Sequence, residues 1–136
     1  MKISDLFKSH KSLAKLSHLK HLIMIAHADG KFTEQEAKAV ALICTRENVS
    51  HKDLKRALNE PSSIDFTSPE SVADKINYVK DLVALMMCDG DISDREMEIC
   101  KLVAIQYGFK PEVVEAIILK SVTDLLSNLD DKLNNL

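Results

Sequence analysis

Tryptophan is absent from this 136-residue chain, which also has only 3 glycines, 3 prolines and 4% aromatic residues. Few glycines and prolines leave little material for long loops, and β-strands draw heavily on aromatic and β-branched side chains. Hydrophobic residues nevertheless make up 46% of the chain, which is enough to bury a core in a single domain of this length. The composition therefore favours an all-α fold over a sheet.

A large excess of charge of either sign is also missing, since the net charge is -3 at pH 7. Binding to nucleic-acid phosphates needs a basic surface, so we expect no nucleic-acid partner. No apolar run approaches the roughly 18 residues that span a bilayer, and residues 1–13 lack the apolar segment of a secretory signal. These absences predict a cytoplasmic protein.

Hydrophobic spacing and capping residues predict a single-domain helical bundle of about seven helices. The expected helices cover about 9–28, 33–48, 50–60, 68–88, 93–108, 111–120 and 121–136. The fourth is expected to begin with Ser68 as its cap and Pro69 in its first turn. The seventh is expected to close the bundle through an apolar stripe. That stripe consists of Val122, Leu125, Leu126, Leu129, Leu133 and Leu136.

One phrase occurs twice: residues 28–36 read ADGKFTEQE and residues 88–96 read CDGDISDRE. Such an offset predicts that a three-helix unit is duplicated with a period of 60 residues. Repeat one would cover about 10–60, a linker 61–69, and repeat two about 70–120. In each copy Asp-Gly is expected to end one helix, because glycine readily adopts the left-handed conformation. The following Thr-x-x-Glu or Ser-x-x-Glu fits a capping box that starts the next helix.

The cysteines at 44, 88 and 100 include no Cys-x-x-Cys pair, which fits a reducing compartment. Each aligns with an alanine or valine of the other repeat. That pattern predicts that Cys44, Cys88 and Cys100 are small buried residues.

Each acidic phrase matches the second half of a calcium-binding EF-hand loop, from position five to position twelve. The first half fails, because positions one and three would be Ile25 and His27 in one copy and Leu85 and Met87 in the other. Calcium needs six to eight oxygen ligands. An EF-hand is therefore not expected.

The residues IAHADGKFTEQE at 25–36, with DGDISDRE at 89–96, resemble the TerB-like domain of tellurite-resistance proteins. This domain is also found in the N-terminal half of a membrane-anchored DnaJ-type co-chaperone. The resemblance covers about residues 10–120. It implies a duplicated helical bundle that binds divalent metal and acts, without catalysis, through protein partners in stress-related or envelope-associated assemblies. It names neither the partner nor the oligomeric state. The ligands it implies are Asp29, Glu36, Asp89 and Glu96.

The two copies differ in what surrounds these ligands. Asp91 adds a carboxylate to the second turn, whereas Lys31 stands at the same place in the first and would oppose a cation. The second site is therefore expected to be the stronger one. Oxygen ligands favour calcium, magnesium or manganese, and a nitrogen ligand from His27 would favour zinc at the first turn.

An interpretation without metal explains the same residues, because Asp-Gly turns and capping boxes form wherever these residues occur. The chain would then be a purely structural protein–protein interaction module. No nucleophile–base pair and no glycine-rich phosphate loop can be assigned, so we expect no enzyme.

The N-terminal region is basic, which predicts a solvated helix face. Contact of this face with a protein partner, or with acidic lipid at the inner face of the membrane, stays an alternative. His18 and His21 lie one helical turn apart without a third ligand and are expected to be exposed on this face. The other members are Lys8, His10, Lys11, Lys15 and Lys20.

Overall fold

In a computed structural model, the described part of the chain, residues 1–135, forms an all-helical bundle without a β-strand. The predicted all-α helical bundle is thus confirmed. No described helix combines the length and the apolar character needed to cross a membrane. The helices are α1 (His10–His27), α2 (Glu34–Arg46), α3 (His51–Asn59), α4 (Val72–Met87), α5 (Asp94–Gln106) and α6 (Glu112–Asn134), with short 3-10 turns at Ile3–Phe7 and Pro61–Ser63.

The centre of the bundle is the pair α1 and α4, which pack against each other. Helices α2, α3 and α5 also pack on α1, and α2, α5 and α6 pack on α4. The apolar spacing of these helices buries one mostly aliphatic core. Its fully buried large members include Leu19, Leu22, Ile25, Val79, Leu82, Val83, Leu85, Met86 and Val114.

Local signals set most helix ends. The side chains of Ser9, Thr33, Ser50 and Ser93 each accept a hydrogen bond from a backbone N–H in the first turn that follows. These caps satisfy donors that the helix itself leaves free. The predicted starts of α1, α2, α3 and α5 are therefore confirmed.

The predicted start of α4 at Ser68 and Pro69 is wrong. Ser71 is the cap, accepting from the N–H of Asp74 at 3.1 Å, and the helix begins at Val72. The preceding segment is bound to α1 instead. The N–H of Thr67 donates to Ser17 Oγ at 3.0 Å, and His10 Nε2 lies 2.7 Å from the carbonyl oxygen of Ser68.

The prediction of seven helices is also wrong, because residues 112–134 form the single helix α6. Its start packs on α4 and α5 through the fully buried Val114. The side chains between Leu119 and Leu133 are exposed, so the expected closing helix over 121–136 does not close the bundle. Leu136, the last residue of the predicted stripe, lies outside the described residues.

Candidate metal site at the two Asp-Gly turns

The first Asp-Gly turn lies between α1 and α2. Gly30 has a φ of 78°, in the left-handed region that favours glycine, and its N–H donates to the carbonyl oxygen of His27 at 3.1 Å. Asp29 Oδ1 accepts from the N–H of Lys31 at 3.0 Å. The capping box is complete, since Glu36 Oε1 accepts from the N–H of Thr33 at 3.0 Å and the Thr33 hydroxyl oxygen accepts from the N–H of Glu36 at 3.1 Å.

The second turn, between α4 and α5, repeats these bonds. Gly90 has a φ of 79°, and Asp89 Oδ1 accepts from the N–H of Asp91 at 3.0 Å. Ser93 and Glu96 form the same capping box, at 3.0 and 3.1 Å. Both capping boxes expected from the sequence are confirmed.

Helix α5 packs against both α1 and α4, and charges of the first turn reach a glutamate of the second. Burial raises the pKa of Glu96, and the negative charges of Asp29 and Glu36 raise it further, against the lowering effect of its bonds to Ser93. Glu36 and Glu96 are each only 2% exposed. Two buried carboxylates with a third nearby repel one another, because burial weakens the screening by water.

Cys88 lies close to the acidic residues of both turns. Partial burial and the nearby charges of Asp89, Glu36 and Glu96 raise the pKa of its thiol. Glu36 belongs to the first turn and the other residues to the second. The side chain itself is exposed, so the prediction that Cys88 is buried is wrong, whereas Cys44 and Cys100 are buried as predicted.

The remaining predicted ligands lie at the rim. Asp91 and His27 are exposed, and the His27 ring stacks on Phe32 with a centroid distance of 4.9 Å. Among residues 1–135, no three histidine, cysteine, aspartate or glutamate side chains are arranged to hold a metal ion. The carboxylate oxygens of the two turns suit a hard divalent cation, but these side chains would have to move closer together to bind one.

The prediction that His18 and His21 are exposed is wrong. Their side chains are 1% and 5% exposed. His18 stacks on Tyr78 with a centroid distance of 3.8 Å, and its Nε2 lies 2.9 Å from Asp81 Oδ2. Arg46 donates to both oxygens of the same carboxylate. This aspartate is 63 residues from His18, so no local pattern could have revealed the pairing.

A cavity of about 580 Å³ opens at the opposite end of α1 and α4 from the turns. Its lining combines positive and negative side chains with the ring of Tyr78, and it contains none of the predicted metal ligands. The other lining residues are Ser9, His10, Lys11, Ala14, Glu47, Pro69, Glu70, Ser71, Asp74 and Asn77.

We expect Gly90→Ala to lower the free energy of unfolding by about 1–2 kcal/mol, the cost of placing an L-residue in the left-handed region. No atom lies within 4 Å of a Cβ added at Gly90, so the loss would come from the backbone alone. Urea denaturation measures it. The control is Gly90→Asn, which should cost less because asparagine tolerates this conformation; equal losses for the two variants would contradict this explanation.

No protein-family model, curated protein or solved structure matches this chain.

Proposed function

We propose that this chain is a non-catalytic, TerB-like interaction module whose two Asp-Gly turns together bind a divalent cation weakly. The observation that supports the proposal is the position of Glu96. This carboxylate is buried, which raises its pKa, and the negative charges of Asp29 and Glu36 in the other turn raise that pKa further. A cation would offset the repulsion between these carboxylates, and this gain in electrostatic energy would favour its binding there.

The ligands in this proposal are Asp29, Glu36, Asp89 and Glu96, with Asp91 joining at the second turn. In each glutamate, Oε1 accepts the capping bond, which fixes the side chain without using its second oxygen. The cation supplies positive charge, and the protein supplies carboxylates held at helix starts. Calcium, magnesium and manganese suit these oxygens, and zinc would require His27.

The proposed consequence is a change in helix geometry that a partner can detect. The first turn joins α1 to α2 and the second joins α4 to α5. A cation shared between the turns would therefore fix both inter-helix angles at once. A ligand shifts a conformational equilibrium only through its different affinities for the two states, so the cation would have to bind more tightly to the geometry that the partner recognises.

We also propose that the chain arose by duplication of a three-helix unit with a period of 60 residues. Equivalent bonds at the two turns, Asp29 with Lys31 and Asp89 with Asp91, support this. So do the matching glycine φ angles. The proposed setting is a stress-related or envelope-associated assembly in the cytoplasm, with the basic start of α1 available to a partner or to the inner face of the membrane. The TerB-like family, which this chain resembles, takes its name from tellurite resistance.

A second candidate function is a purely structural interaction module. Two observations favour it: both capping boxes are complete without a metal, and no three-ligand group exists among residues 1–135. The acidic turns would then only end and start helices. Partner binding would depend on an exposed helix face.

A backbone NMR titration of chelator-stripped protein with calcium, magnesium, manganese and zinc separates these candidates. Under the cation proposal, saturable changes centre on the amides of Gly30 and Gly90, as shifts for the diamagnetic ions and as line broadening for manganese. Unchanged spectra at millimolar metal would contradict it. They would leave the structural module as the function.

Variants make the test specific to the proposed ligands. Asp89→Asn with Glu96→Gln should abolish the metal response and leave the fold intact, because glutamine also completes a capping box. Asp94→Asn with Glu98→Gln removes the same charge from exposed positions of α5 and should retain the response. Loss of the response in both variants would indicate general charge attraction rather than a site.

A further inference from the structure

The second half of α6 carries an apolar stripe that its own bundle leaves exposed. Six side chains of this half are between 37% and 69% exposed: Leu119, Val122, Leu125, Leu126, Leu129 and Leu133. Five of them, all but Leu125, recur at spacings of three and four residues. That is the pattern with which one helix packs against another in a coiled coil.

The size of the stripe indicates an interface. The exposed fractions of its six side chains add up to more than three fully exposed apolar side chains on one half of a helix, and a contiguous apolar patch of this kind marks an interaction site. A specific interface needs about 1,000 Å² of buried surface in total, to which two such stripes contribute equally when they face each other. A second copy of this chain therefore offers enough area to cover the stripe.

We propose that the stripe on α6 is a dimer interface, in which the second copy of α6 runs antiparallel. From Val122 through Leu126 and Leu129 to Leu133 the spacings are four, three and four, which are the same in both directions. An antiparallel copy therefore places Val122 against Leu133 of the other molecule, and Leu126 against Leu129. The two-fold axis passes between residues 127 and 128, and the contact is closed and self-complementary.

Charge favours the antiparallel over the parallel arrangement. A parallel pair would set Asp130, Asp131 and the negative carboxyl end of α6 beside the same groups of the other copy. In the antiparallel pair, the two carboxyl ends lie at opposite ends of the contact, which separates these like charges. The two bundles also come to lie at opposite ends of the contact instead of side by side.

The same charges disfavour an anionic membrane as the occupant. The polar side of this half carries two basic residues, Lys120 and Lys132, against Asp124, Asp130 and Asp131. Helices that lie on anionic lipid are rich in lysine and arginine on that side. This proposal is independent of metal binding at the turns.

Sedimentation equilibrium of the full chain from about 10 to about 500 µM, a range that covers weak association, tests the dimer. The mass is expected to rise from 15.2 kDa to twice that value. Leu126→Glu with Leu129→Glu should weaken association at least tenfold and leave the helical circular dichroism unchanged, because both side chains are exposed in the monomer. Ser127→Glu with Asn128→Glu adds the same charge away from the stripe and should leave association unchanged.

Disulfide trapping in a Cys88→Ser background tests the direction. Val122→Cys mixed with Leu133→Cys should form a heterodimer, whereas Leu133→Cys alone should not, because its two thiols would lie about 16 Å apart along the helices. Efficient homodimer formation by Leu133→Cys would overturn the antiparallel arrangement. A constant mass of 15.2 kDa would overturn the dimer, and leucine-dependent binding of that monomer to phosphatidylcholine vesicles would identify a lipid surface as the occupant instead.

Discussion

Asp5→Ala is expected to lower the free energy of unfolding by about 3 kcal/mol, the cost of leaving a buried charge without its partner. Asp5 and Arg56 are both buried, and the guanidinium donates to both carboxylate oxygens at 2.8 and 2.9 Å. Arg56 also donates to the hydroxyl and carbonyl oxygens of Ser63. The pair therefore binds the N-terminal 3-10 turn to α3 and to the segment after it.

Urea denaturation followed by far-ultraviolet circular dichroism measures the loss. The control is Lys38→Ala, which removes a single exposed ion pair with Glu34 and should change the free energy by less than about 0.5 kcal/mol. Asp5→Leu combined with Arg56→Met should recover at least half of the loss, because apolar residues often replace a buried pair without cost. A loss below about 1 kcal/mol for Asp5→Ala would show that water reaches the pair.

The parts of the fold that follow from local chemistry could be predicted from the sequence. Thr33 and Ser93 cap their helices with bonds that span three residues, so their neighbours in the chain determine the outcome. The glycines of both turns adopt the left-handed conformation for the same reason. The turn geometry of the candidate site was therefore accessible before any tertiary contact was known.

The errors concern features that distant contacts decide. Ser68 has the sequence of a cap, but His10, 58 residues away, contacts its carbonyl oxygen. His18 has basic neighbours in the chain, yet the fold buries it against Tyr78 and Asp81. A pattern of charges along one helix cannot reveal which carboxylate another helix will supply.

The error at α6 has a different cause. No glycine or proline follows Pro111, so helix propensity alone favours one continuous helix. The 60-residue period suggested a break after residue 120, because the first repeat has no counterpart to the residues beyond it. The local preference decided the outcome. Helix α6 continues beyond the part that packs on the bundle and carries the stripe from Leu119 to Leu133 there. An apolar stripe is typical of a helix that packs on a core, so the sequence predicted a closing helix.

Protein stability is expected to fall by about 3 kcal/mol between pH 6.5 and pH 4 because of His21, at 1.36 kcal/mol for each unit of pKa change. Burial, with the nearby charges of His18 and Lys20 acting in the same direction, lowers the pKa of this histidine from 6.5 to about 4. Between pH 6.5 and pH 4, His21 is therefore protonated in the unfolded chain and neutral in the folded chain. Stability is complete above pH 6.5 and is lost as the pH falls toward 4.

The groups around His18 and His21 determine how much of the pH dependence of stability comes from His21. Phe66 lies against His21 with a centroid distance of 5.9 Å and carries no charge. Burial also lowers the pKa of His18, although Asp81 opposes the change, so His18 adds to the loss. The raised pKa of Glu96 acts in the opposite direction. Arg56 holds the pKa of Asp5 well below its usual range, so that carboxylate stays ionised throughout.

Urea denaturation at several pH values between 7 and 4 gives the slope of stability against pH. His21→Leu should flatten the slope by up to about 1.4 kcal/mol per pH unit, the value for one proton. His51→Leu removes an exposed histidine and should keep the wild-type slope. Identical slopes for His21→Leu and the wild type would mean that the folded protein accepts the proton. The buried Nδ1 atoms of His18 and His21, which have no hydrogen-bond partner among residues 1–135, would then have to reach water.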